Sequence, residues 1–133
     1  IRVTEDGTII PIECNPMRFA GWCTTDLGWY AFGLRTYEYY LENRVPEWDA
    51  LFAGKEDSIF SMIILDNPSG GVPQGAVFNY DALAASFTEV LHLRRMEKAE
   101  YPMFGFVFAR TPEKDRGELD RIMRSDLREY IHV

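Results

Sequence analysis

Two apolar runs constrain this chain most. Residues 59–65 read Ile-Phe-Ser-Met-Ile-Ile-Leu, and residues 103–109 read Met-Phe-Gly-Phe-Val-Phe-Ala. Both are rich in branched and aromatic residues, and neither approaches the length of a membrane span. A run with no polar face is costly on a surface, so each is expected as a buried strand. The first is expected as a central strand covered on both faces.

The segments around these runs supply covering elements. Leu27, Tyr30, Leu34, Tyr37 and Leu41 recur at steps of three and four. That predicts one helix from a Thr24 or Thr25 cap to about Asn43, with Asp26 in its first turn. Gly28 and Gly33 weaken it by about 1 kcal/mol each relative to Ala, and they allow close packing or mark a kink. Its many aromatic residues read as core plus amphipathic surface rather than as a stacking platform. Pro46 opens a short helix over 47–52, closed by Gly54. Residues 66–79 form a Gly- and Pro-rich surface connection. Ser69-Gly70-Gly71 lacks the spacing of a phosphate cradle and no helix follows it directly.

Further along, Asp81 is expected to cap a helix running to about Phe87. Residues 89–96 alternate as a strand, with Leu91 and Leu93 on one face and Val90, His92 and Arg94 on the other. His92 has no Ser, Cys or carboxylate partner in view and reads as structural. Arg94 and Arg95 could face an anion, although Glu89 and Glu97 are near enough to pair with them. Thr111-Pro112-Glu113 has the pattern of a helix start, and Leu119, Ile122, Met123 and Leu127 would form the inner face. Ser125-Asp126 breaks that helix, leaving 127–131 as a short strand or an extra turn. The sum is an α+β fold: an antiparallel hairpin and a small mixed or antiparallel sheet, with helices packed on one side.

The residues with chemistry lie near the other end. Residues 1–4 alternate and run into Glu5-Asp6-Gly7-Thr8, and Asp-Gly is the strongest two-residue hairpin signal. Strands over 1–4 and 9–14 are therefore expected to be antiparallel. Glu13 and Asn15 sit two residues apart, so on a continuing strand both oxygens point to the same side. A carboxylate and a carboxamide oxygen side by side are hard ligands suited to Mg²⁺. Pro16 stops the strand. Arg18 follows as an always-charged fork for phosphate or carboxylate. The plainer reading of the same residues is a strand end at which Asn starts a turn.

Glu13-Cys14-Asn15-Pro16, reached through that hairpin, resembles the end of the catalytic core of the ATP-grasp superfamily. The resemblance is specific over residues 1–21. It implies that Glu13 and Asn15 hold the Mg²⁺ that bridges ATP phosphates, and that Arg18 contacts phosphate or the acyl substrate as a catalytic and nucleotide-binding residue. Met17 departs from the family pattern, in which the basic residue often follows Pro directly. The resemblance further implies a parent ligase whose remaining ATP-binding residues precede Ile1. Its substrates would be a nucleotide and a small carboxylic acid. The chain would then divide into the end of an ATP-grasp-like core over 1–45 and an α+β extension over 46–133.

Composition limits the alternatives. The chain has 133 residues, 47% hydrophobic and 26% charged, which fits one ordered domain rather than a disordered segment. A net charge of −7 leaves no basic stripe for a nucleic-acid backbone. Cys14 and Cys23 are the only cysteines; they have no metal-binding spacing and fit free thiols in a reducing cytoplasm, with a disulfide between them as the alternative. No membrane segment or leader pattern is present in these residues. Ile1 already reads as mid-strand, so a fragment is expected, nearly inactive alone. The outer edge of its hairpin would invite a homodimer or strand exchange. A non-catalytic accessory module with a degenerate Glu-x-Asn, or an unrelated small α+β binding domain, are the competing readings.

Overall fold

The computed structural model describes residues 2–11, 23–67, 75–96 and 103–132. In chain order it begins with β1 (Arg2–Val3), β2 (Ile9–Ile10), α1 (Asp26–Phe32), α2 (Thr36–Leu41) and α3 (Trp48–Phe52). Next come β3 (Ser58–Asp66), β4 (Val77–Phe78), α4 (Tyr80–Ala84) and β5 (Glu89–Arg95). The last elements are β6 (Met103–Pro112), α5 (Arg116–Arg124) and β7 (Ile131–His132). The fold is α+β with small antiparallel sheets, as the pattern of elements predicts. No helix among the described residues is long and apolar enough to cross a membrane.

The main sheet has the order β3-β6-β5, antiparallel throughout. Among the described residues the central strand is therefore β6, and β3 lies at an edge, contrary to expectation. Both runs are equally apolar. Which one sits in the middle is decided by where β5 pairs, and hydrophobicity does not encode that choice. Phe106, Val107, Phe108 and Ala109 are all buried, whereas Ile64 on β3 is 47% exposed.

Alternation along β6 sorts the core into two faces. Val107 and Ala109 pack with Leu65, Leu83, Phe87 and Ile122, so α4 and α5 cover one face. Phe108 points to the opposite face, where its ring centroid lies 4.8 Å from that of Tyr30 on α1. Phe32 of the same helix meets Phe60 at 4.9 Å. Helices α4 and α5 share one side, and α1 covers the other, where Phe52 of α3 meets Phe32 at 5.1 Å. Each buried side chain of this size contributes about 1.5–3 kcal/mol relative to exposure, so the two layers carry most of the hydrophobic stabilisation.

Local differences from expectation have identifiable causes. The hairpin forms, but with a three-residue loop rather than a two-residue one. Gly7 N–H reaches Thr4 O at 2.9 Å, Thr4 N–H reaches Thr8 O at 3.0 Å, and Gly7, not Asp6, takes the positive φ. That is a type I turn closed by a glycine bulge. The long helix expected over 24–43 is broken in two. Gly33 adopts φ 68°, and the N–H groups of Gly33 and Leu34 cap α1 by bonding to Trp29 O and Gly28 O. Tyr37 and Leu41, expected on the buried stripe, are 50% and 79% exposed in consequence.

Strand β5 carries a bulge. Val90 pairs with Ala109 and His92 with Phe108, so Leu91 is the extra residue. Strict alternation is thereby lost, and Val90 and Leu93 both pack against the α4/α5 core instead of pointing to opposite faces. The cap of α4 is Asn79, whose Oδ1 accepts from Ala82 N–H at 2.9 Å; Asp81 lies in the first turn. The expected helix start at Thr111-Pro112 is the end of β6, and α5 begins at Arg116 after a short 3₁₀ turn. Beyond the Ser125-Asp126 break, 3₁₀ turn and strand both occur. Leu127–Tyr130 form the turn, and β7 then pairs with β4. Asp126 caps that turn, and hydrogen bonds from Arg128 hold its carboxyl down to about 2.

Candidate functional site

Glu13, Asn15 and Arg18, the three residues to which the sequence assigns chemistry, lie outside the described residues. So do Cys14 and the Ser69-Gly70-Gly71 loop. What the structure shows is how the chain enters and leaves that stretch.

The entry is the β1–β2 hairpin. Arg2 pairs with Ile10 and Val3 with Ile9. Its loop is held by the Asp6 carboxylate, which accepts from the Thr4 hydroxyl and, at 3.1 Å, from Thr8 N–H. These bonds, that from the Thr4 side chain foremost, hold the Asp6 pKa below the usual carboxylate range. A side chain that bonds its own turn in this way fixes the strand direction before the chain reaches Pro11.

The exit is Cys23, one of two described non-glycine residues with positive φ (62°). Its carbonyl accepts from Asp26 N–H at 3.0 Å, and its Sγ accepts from Arg94 Nη1 at 2.6 Å. The same guanidinium reaches Asp26 Oδ2 through Nη2 at 2.8 Å. Burial is the largest single influence on Arg94 and opposes its charge, but the bond to Asp26 and the further interactions with Cys23, Asp26 and Tyr30 together outweigh it, and the pKa lies above the ordinary arginine value. Arg94 therefore pairs with the start of α1 rather than with Glu89, which lies nearest Arg110, and Glu97 lies outside the described residues. Arg95 pairs with Asp81 at 3.0 Å. Beside Arg94, the His92 ring stacks on Tyr30, with centroids 4.3 Å apart and planes 11° from parallel. His92 is thus a packing residue between β5 and α1, as the sequence implies.

Two polar features escape the sequence reading. The first is Glu118 on α5, which is 2% exposed. Its carboxylate accepts from Thr88 N–H at 2.8 Å, from the Thr88 hydroxyl, and from Thr111 Oγ1 at 2.7 Å. Burial pushes its pKa up, yet the hydrogen bonds from Thr88 and Thr111 outweigh this and the pKa lies below the ordinary range. All of its oxygen partners are internal, so the carboxylate ties α5 to β6 and to the start of β5. Its spacing four residues before Ile122 was the available signal. The second is a cleft of about 860 Å³ lined by Asp57, Ser58, Glu89, Arg110, Glu113 and Lys114, among others. Its charges are mixed in sign and draw from four segments, which gives it no preference for one ligand charge.

No group of three or more His, Cys, Asp or Glu side chains suited to a metal ion occurs among the described residues. The donor set at positions 13 and 15 remains the chemically apt one, since both side chains offer hard oxygens. Comparison with known proteins bears on that same stretch. Residues 1–26 match the family model of the ATP-grasp domain. No curated protein and no solved structure matches the chain.

Proposed function

With the ATP-grasp domain sequence over residues 1–26 as premise, we propose that this chain is part of an ATP- and Mg²⁺-dependent ligase. The parent joins a small carboxylic acid to an amine, or to a similar nucleophile, through an acyl phosphate. The observation that carries the reading is the family match, because it spans Glu13, Asn15 and Arg18 together. The chemistry of those side chains supports it. Glu13 and Asn15 supply the oxygen donors for the metal. Bound there, Mg²⁺ would neutralise charge growing on the transferred phosphoryl group. Arg18 donates paired hydrogen bonds to phosphate or acyl oxygens and orients them for in-line attack. The upstream nucleotide-binding residues are supplied by the parent, so the chain by itself turns over little or no ATP. Cytoplasmic placement accords with ATP, Mg²⁺ and the free thiol of Cys23.

The test is ADP release by the parent with Mg²⁺ and a pool of carboxylic acids and amines, comparing wild type with Glu13→Gln. Substrate-dependent release that disappears in the variant supports the ligase and identifies the substrate class. Release unchanged by the substitution removes Glu13 from the mechanism.

A second reading rests on a separate observation. Among the described residues, the buried core lies almost wholly in 65–122, beyond the matched segment. That portion then serves as an accessory module for assembly or substrate choice. Deleting it from the parent would lower substrate selectivity while leaving ATP hydrolysis in place.

A further inference from the structure

Strand β3 offers an open edge. It pairs with β6 on one side, and no strand among the described residues pairs with the other. Natural edge strands are blunted by proline, by inward charges or by brevity. Strand β3 has none of these. It runs nine residues, and positions 59–65 carry neither charge nor proline. Beside its C-terminal half lies an apolar cleft of about 480 Å³, lined by Ile63, Leu65, Leu83, Ile122, Met123 and Leu127 among others. Met123 there is 75% exposed and Ile64 is 47% exposed. A strand edge flanked by an apolar groove is the geometry that accepts an added strand.

We infer that the occupant is β3 of a second copy of this chain, paired antiparallel about a two-fold axis at Met62. Three features select it. Centring on Met62 uses the whole strand, so Ser58 of one copy lies opposite Asp66 of the other. No like charges meet along the strand, because its single charged residue is Asp66. The ends are also complementary. Asp66 has no ion-pair partner among the described residues. Ser58, which it would face, accepts from Arg110 Nε at 2.9 Å, while the nearest carboxylate to Arg110 is Glu89 at 3.8 Å. Directly opposed residues share a face, so each Asp66 comes beside a second copy's Arg110, twice by symmetry. On the other face, Ile59 of the second copy lies opposite Leu65, at the apolar cleft. The product is a continuous six-stranded sheet, β5-β6-β3-β3-β6-β5. This surface is distinct from the hairpin edge at which the sequence predicts association.

The experiment is sedimentation velocity on the purified chain, with two variants and one cross-link. Wild type sediments as a dimer. Ile64→Lys, at an exposed position, sediments as a monomer with an unchanged far-ultraviolet spectrum. Asp66→Asn weakens the dimer by roughly two- to tenfold, and less so at high salt, as expected for exposed ion pairs. Met62→Cys lies on the axis, where opposed Cα atoms are about 4.5–5.5 Å apart, within disulfide reach. Mild oxidation then yields a 62–62 disulfide identifiable by peptide mass. A monomeric wild type overturns the inference, and so does a dimer that persists in a folded Ile64→Lys variant. Should that variant unfold, the cross-link decides: a dimer lacking the 62–62 bond overturns the inference. None of these readouts depends on nucleotide, so failure here leaves the ligase reading untouched.

Discussion

The two ends of this chain differ in what they bury. Among the described residues before β3, Ala31 alone is buried. From Leu65 onward, five phenylalanines join leucine, valine, alanine and isoleucine in packed layers on both faces of β6. The described residues of the segment that matches the family model therefore bring little core of their own, and the match does not extend to the segment with the core. Stability and proposed chemistry reside in different stretches, joined where Arg94 of β5 grips Asp26 and Cys23.

That contrast can be tested by substitution, with urea denaturation as the common measurement. The largest effect is expected at Gly105→Ala. Gly105 has φ 148°, and an added Cβ would lie 2.0 Å from Arg94 O on the neighbouring strand. Backbone cannot yield that distance cheaply, so the variant is expected to lose about 4 kcal/mol or more and to express poorly. A soluble variant of near wild-type midpoint would mean that β5 and β6 are not paired in this way.

Glu118→Ala comes next, at roughly 2–4 kcal/mol, because it strands the Thr88 and Thr111 donors in the core. It also predicts a pH signature. The folded-state pKa of Glu118 lies below the unfolded value, so its contribution is complete above the ordinary carboxylate range. It is lost as pH falls through the folded value. The gap between wild type and variant should therefore narrow on acidification; a gap that stays constant or widens would contradict the assignment.

Smaller effects belong to the first region. Gly33→Ala forces an L side chain into the left-handed well at φ 68° and should cost about 1 kcal/mol. Leu41→Ala, on a residue 79% exposed, should change stability by less than about 0.5 kcal/mol despite removing a large apolar side chain. A loss at Leu41 equal to a core truncation would show that the first region has a core after all.

Much of this fold is legible in the sequence where composition alone decides. The two apolar runs, the hairpin, the Gly54-terminated helix and the Ser125-Asp126 break all lie where residue type predicts. What is not legible depends on pairing across distance. Nothing local distinguishes β3 from β6 as the central strand, since both are apolar and the neighbour of each is set by β5. Leu91 looks like any strand residue, and only its opposition to the Ala109–Phe108 step makes it the bulge. Glu118 reads as a surface charge until Thr88 and Thr111 meet it from other elements. For the candidate site the balance is reversed. Glu13, Asn15 and Arg18 are recognisable by type and spacing, and the family match covers them, while their geometry lies outside the described residues.

The bulge at Leu91 also acts as a check on assembly. Without it, β5 would be a uniform ribbon able to slide along β6 by two residues at little cost. With it, the strand is out of phase with itself: Val90 before the bulge and Leu93 after it face the same layer. Any slip that satisfies one half turns the other half outward, or strips His92 from Tyr30 and Arg94 from Asp26. One unpaired residue thus rejects misaligned sheets during folding, and the discrimination comes from a defect in the ladder rather than from an added contact.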